Sequence, residues 1–141
     1  SMKKLTICAV LATAFACSKA PEPEAPKVEA PSKRVFFIEP ANGASVSSPV
    51  KVKMGVEGMT VEPAGKIVEG TGHFHIIIDA PASEEGKVVP ADDSHKHYGK
   101  GQKEADLTLK PGKHKLVLQF ADGEHKSYGE KLTDTIEITV K

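Results

Sequence analysis

Six histidines occur in this 141-residue chain, and four of them form two H-x-H pairs, His73-Phe74-His75 and His95-Lys96-His97, with His95 20 residues after His75. Along a β-strand the side chains alternate between faces, so residues i and i+2 project from the same face about 7 Å apart. Two imidazoles placed in this way can converge on one ion. Neutral imidazole suits Zn, Cu, Ni and Fe, with metal–nitrogen distances of about 2 Å that demand convergence from a rigid backbone.

The surroundings of the two pairs differ. His73 and His75 share parity with Ile77 and Asp79, while Phe74, Ile76 and Ile78 form the opposite, core-facing side; the pair is therefore expected on the face away from the core. His95 and His97 sit in the polar, glycine-rich stretch 90–101 and are expected on a loop. Each pair taken alone is explained by a solvated strand or a solvated loop. Taken together, they can meet if residues 80–94 return the chain beside the first pair. His125, next to the Asp122-Gly123 turn, is then a fifth candidate ligand. Asp79, Asp92 and Asp93 are candidate outer carboxylates that would set imidazole tautomers. Met59, in Gly58-Met59-Thr60-Val61, reads first as core filling. As a thioether near the imidazoles it would favour copper, whose reduced form takes soft ligands.

The elements that must position these residues are strands. Residues 35–38, 50–56, 74–78, 105–109, 116–120 and 135–140 alternate with period two or are rich in β-branched residues, and turn signals such as Glu57-Gly58, Lys110-Pro111-Gly112 and Asp122-Gly123 separate them. No stretch carries a long apolar stripe of helical period. The expected fold is all-β, an immunoglobulin-like antiparallel β-sandwich of about seven strands. Leu107-x-Leu109-x-Pro111-Gly112-x-His114 fits the strand E to strand F corner of such sandwiches, where a tyrosine commonly follows Pro-Gly-x. His114 occupies that slot, at the inward edge of its strand. It is expected to satisfy a backbone group, not to ligate.

The N-terminal region reads as an address. Ser1 precedes Met2 as a cloning remnant; Lys3 and Lys4 lead a 12-residue, largely apolar segment from Leu5 to Ala16, closing with Ala14-Phe15-Ala16 ahead of Cys17, so 1–16 is expected to be a signal peptide. That apolar run is too short to span a bilayer. Cys17 is the candidate lipid-attachment cysteine of a bacterial lipoprotein, with ordinary secretion to the periplasm as the alternative. The Pro, Ala, Glu and Lys of 17–33 cannot build a core and read as a tether. Extended at about 3.1 Å per residue, it would reach roughly 50 Å from a membrane anchor. Residues 34–141 then make one domain. That segment contains no cysteine, which leaves no disulfide and no thiolate metal site. With 14 Lys and Arg against 16 Asp and Glu in it, a balance of −2 without runs of like charge, nucleic acid is not an expected partner.

The chain resembles a family of small bacterial cell-envelope proteins known only as a domain of unknown function. The resemblance rests on Gly58-Met59-x-Val61-x-Pro63-Ala64-Gly65, Thr71-Gly72-His73-x-His75-x-x-Ile78-Asp79, Pro90-Ala91-Asp92, His95-x-His97-x-Gly99-x-Gly101-Gln102, Pro111-Gly112-x-His114 and Asp122-x-x-His125. It covers essentially all of 35–140. Phe74 and Ser127-Tyr128 depart from it, since relatives often carry further histidines there. The family implies a fold and a cell-envelope location, and no activity.

Three functions are carried forward. The first is a membrane-tethered, non-enzymatic domain that binds a transition metal, copper before zinc, through His73, His75, His95 and His97, with His125 and Met59 as further candidates. The second is an interaction module whose loops or edge strand bind an envelope protein or polymer, its histidines being structural. The third is a metalloenzyme similar to copper/zinc superoxide dismutases, which also use H-x-H on a sandwich strand; here the spacing beyond the first pair fits that pattern poorly. Neither a nucleophile elbow nor a phosphate-binding glycine loop is present in the sequence.

Overall fold

The structure, a computed structural model, describes residues 13, 14, 16, 18–23, 25, 26 and 32–141. Most of the expected signal segment, Cys17 and parts of the expected tether lie outside the described residues. Among the described residues no helix is long and apolar enough to cross a membrane.

The described residues form nine strands: β1 Arg34–Glu39, β2 Ser45–Val46, β3 Val50–Glu57, β4 Thr60–Val61, β5 Thr71–Ile78, β6 His95–Tyr98, β7 Glu104–Leu107, β8 Gly112–Ala121 and β9 Thr133–Val140. Seven have four or more residues and two are two-residue pairings. One sheet orders β1-β3-β7; the other orders β2-β9-β8-β5-β4, with β6 also paired to β5. The two sheets face each other as an all-β sandwich. Alternation explains the core: β3 buries Val50, Val52 and Met54 from one sheet, β5 buries Phe74 and Ile76, and β8 buries Leu116, Leu118 and Phe120 from the other. Phe74 and Phe120, opposite one another across β5 and β8, pack edge to face at 5.2 Å between ring centroids.

Two local features differ from the sequence expectations. The stretch around His95 is a strand, not a loop. Its residues His-Lys-His-Tyr lack the apolar alternation that marks strands, but the β5 edge supplies backbone partners, with Phe74, His75, Ile76 and Ile77 opposite Tyr98, His97, Lys96 and His95. Secondly, the outer face of the large sheet is covered. Gly72–Ile77 of β5 and Leu116–Ala121 of β8 are buried on both faces. The cover is made by connections: Gly86 N–H donates to Ser127 O, Ser127 N–H to Lys87 O and Val89 N–H to His125 O, which lays buried Val89 and its neighbours alongside residues 125–127. Ala64 N–H donates to Gly99 O and Gly65 N–H to Gly123 O, closing the other side. A small second apolar layer results, with Ile77, Val89, Val117 and Ala121 buried in it.

Candidate metal centre

Under that cover, β5 presents His73, His75 and Ile77 on the side away from the sandwich core. The antiparallel register of β6 puts His97 directly opposite His75 and His95 opposite Ile77. A residue opposite His73 would be 99, just past the end of β6, and it is glycine. A Cβ at Gly99 would collide with the imidazole of His97. The missing side chain is what lets the His97 ring lie toward His73.

The fourth ring arrives from the turn after β8. Asp122 organises that turn: its Oδ1 accepts from the amides of Glu124 and Lys126 at 2.9 and 3.0 Å, and its carbonyl accepts from His125 N–H at 2.9 Å. His125 is left with φ 67°, a left-handed conformation uncommon for a residue with a Cβ. The packing of 86–89 along 125–127 maintains it, since the carbonyl of His125 is bound by Val89. Gly123 is required in the same turn because a Cβ there would run into the carbonyl of Lys66. Strain held in place by neighbouring structure is a feature of functional sites.

Four imidazoles therefore converge: His73, His75, His97 and His125. All six distances between their ring centroids fall between 4.6 and 5.8 Å. Nε2 of His73 lies 2.9 Å from Nε2 of His75, and Nε2 of His97 lies 2.9 Å from Nε2 of His125. Tetrahedral coordination at 2.0–2.1 Å places ligand nitrogens about 3.3 Å apart. Ligand nitrogens of His73, His97 and His125 all lie within 4.8 Å of one another, close enough to hold a metal ion. His73 and His75 form the closed floor at 0% and 1% exposure, whereas His97 is exposed and His125 half-buried at the mouth.

Burial keeps the two floor rings, His73 and His75, neutral. Burial pushes His73 down to about 4, with the nearby His125 and His97 lowering it further and Asp122 opposing. Burial likewise pushes His75 down to about 3, aided by His73, His97, His125 and His95 as like charges. His97 is lowered by burial and then by His125. At neutral pH the floor of the site thus offers lone pairs without first having to lose protons.

A family model described as a domain of unknown function, DUF4399, matches residues 52–141. The chain belongs to this family. No curated protein matches it. Among solved structures, the endo-β-1,4-mannanase from Thermotoga petrophila is similar at 18% identity and a TM-score of 0.47, over 77% of this chain and 20% of that one. The chain thus spans about a fifth of the length of that enzyme.

The other residues singled out in the sequence lie apart from the four rings. His95 is displaced by register, one pair further along β6; its Nδ1 binds Asp92 Oδ1 at 2.6 Å, and it contributes to none of the ring contacts within the cluster. Asp92 is therefore committed to His95, and Asp79 to His114, instead of backing the cluster. His114 uses both ring nitrogens, Nδ1 to Asp79 Oδ2 and Nε2 to the carbonyl of Lys110, each at 2.6 Å, as expected of a corner residue. Its proton affinity is raised by the bond to Asp79 and then by the Lys110 carbonyl. Asp93 is exposed on the connection before β6. Met59 packs against the sandwich core and lines a cavity with Lys33, Tyr128, Lys131 and Leu132, away from the imidazoles. Three participants were not singled out: Gly99, Asp122 in its role as turn organiser, and Gln119, which lies opposite His75 on β8. The sequence signal for Gln119 was a lone amide inside the apolar run Leu116-Val117-Leu118-Gln119-Phe120.

Proposed function

We propose that this protein is a non-enzymatic, cell-envelope domain that binds one transition-metal ion, copper in preference to zinc, through His73, His75, His97 and His125. The observation that carries the reading is the approach of ligand nitrogens from three separate segments, β5, β6 and the 122–126 turn, to within 4.8 Å. Residues so distant in sequence do not gather imidazole rings around buried His73 and His75 at no cost, because burying polar groups is unfavourable unless they are used. With Met59 elsewhere, the preference for copper rests on an all-imidazole donor set and on the stability order of divalent ions, in which Cu exceeds Zn. The half-open mouth at His97 and His125 suits uptake and release, and so buffering or delivery outside the cytoplasm. Attachment through Cys17 would hold the domain at a membrane surface.

Calorimetric titration of metal-free, tag-free protein with Cu²⁺ and Zn²⁺ tests the reading. One ion per chain is expected, with copper the tighter, and binding lost in a His73→Ala, His97→Ala, His125→Ala triple variant. No binding of either ion would overturn it. For the location, Cys17→Ser is expected to move the protein from the detergent-extracted membrane fraction to the soluble envelope fraction.

A further inference from the structure

Across the large sheet, four side chains stand in one row on the covered face: His97 of β6, His75 of β5, Gln119 of β8 and Thr133 of β9, each opposite the next. Gln119 is completely buried. Its amide nitrogen donates to the carbonyls of Phe120 at 3.1 Å and of Gly129 at 3.5 Å, which fixes the orientation of the amide, since only nitrogen can donate. The oxygen Oε1, a strong acceptor, has no protein partner among the described residues. Nδ1 of His75 and Nδ1 of His73, also buried, have none either, and of these two residues His75 is the one opposite Gln119. Directly opposed residues of an antiparallel pair have Cβ atoms about 4.5–5.5 Å apart, within reach of one another's side-chain ends. An unpaired acceptor and an unpaired ring nitrogen thus belong to directly opposed residues, each otherwise incurring the cost of burial without a bond.

The 2.9 Å contact between Nε2 of His73 and Nε2 of His75 adds a second constraint. One ring must donate from Nε2 and the other must accept there, carrying its own proton on Nδ1. Only a ring of the second kind has the lone pair for a metal at Nε2. We infer that Gln119 is a positioning residue for the metal centre: its Oε1 accepts the Nδ1–H of His75 through one bridging water, and thereby holds His75 in the tautomer that ligates through Nε2. This rests on the metal-binding reading for its purpose, but the tautomer exists without metal. His73 is the donor of the pair in the metal-free protein; when an ion binds, it releases its Nε2 proton to solvent and takes one from solvent at Nδ1, so the ring stays neutral and its Nε2 lone pair is freed. Outer hydrogen bonds to ligating histidines have this function at metal sites generally, and their loss typically weakens binding about 10–100-fold.

The test is long-range ¹H–¹⁵N correlation spectroscopy of the full chain at neutral pH, which reads the protonated nitrogen of each ring. In metal-free wild-type protein, His75 is expected as the Nδ1–H form and His73 as the Nε2–H form. In Gln119→Leu the His75 ring becomes a mixture of tautomers and zinc binding weakens by about 10–100-fold, while Gln119→Glu, which keeps an acceptor, restores the Nδ1–H form. His75 found as Nε2–H in the wild-type protein, or a tautomer unchanged in Gln119→Leu, overturns the inference, and the wild-type measurement needs no variant to fold. A His75 tautomer that depends on Gln119 in a protein that binds neither zinc nor copper would uphold the hydrogen bond and overturn the metal reading instead.

Discussion

His75 and His97 face one another across β5 and β6 with ring centroids 5.0 Å apart, whereas His95, two residues before His97 on the same strand face, stands opposite Ile77. One register step separates the candidate ligand from the bystander. A shift of two residues along β6 would exchange them, so the identity of the site is a property of strand pairing.

That difference can be measured. Replacing His97 by Phe is expected to weaken copper and zinc binding by more than the 10–100-fold or so typical of outer-shell losses. His95→Phe, which breaks only the bond to Asp92, leaves affinity within a few-fold of wild type. Calorimetry on the two variants checks the pair, and equal losses would place the site differently.

Gly99→Ala probes the same contact from the backbone side. The added methyl group meets the His97 ring, which must turn away. Overpacking of this kind costs about 1–3 kcal/mol. Both the thermal midpoint and the metal affinity should fall.

At His125 the ring and the backbone can be separated. Asparagine tolerates the left-handed conformation at φ 67° and alanine does not. His125→Asn is expected to be more stable than His125→Ala by about 1 kcal/mol, a difference that urea unfolding resolves. Both should lose metal affinity, because neither carries the imidazole.

Protons should act on the metal-free protein in a defined direction. His73 and His75 have folded pKa values of about 4 and about 3, below the value of 6.5 for an unburied ring. Between these limits the unfolded chain takes up protons that the folded protein refuses, so stability rises with pH there. The contribution is complete above pH 6.5 and is lost as pH falls toward 4; for each ring, unfolding becomes up to roughly tenfold more favourable per pH unit. His114, whose pKa is raised by Asp79, acts oppositely, its contribution being present below 6.5 and lost as pH rises through its folded value. Thermal midpoints measured from pH 8 to 4.5 should therefore decline on the acid side, and a His73→Phe, His75→Phe double variant should show a shallower decline.

Much of this protein follows from local pattern. Alternating Val, Ile and Leu residues in 50–56, 74–78 and 116–120 specify strands with one core face, because strand side chains point alternately to opposite sides. The parity of His73 and His75 with Ile77 placed the pair on the opposite face, and the Pro-Gly-x context of His114 assigned it a structural role. The family resemblance pointed to the same fold. Local pattern could not show that the outer face is covered, since the cover is built from backbone bonds between 86–89 and 125–127 and between 64–65 and 99 and 123. It could not show β6 as a strand, because a polar edge strand takes its partners from β5 and carries no apolar signature. Least of all could it choose among the histidines. His95 and His97 are equivalent by spacing, and His125 lies far from both in sequence; register and a strained turn, both products of long-range pairing, leave His95 with Asp92 and bring His125 to the rings of His73, His75 and His97.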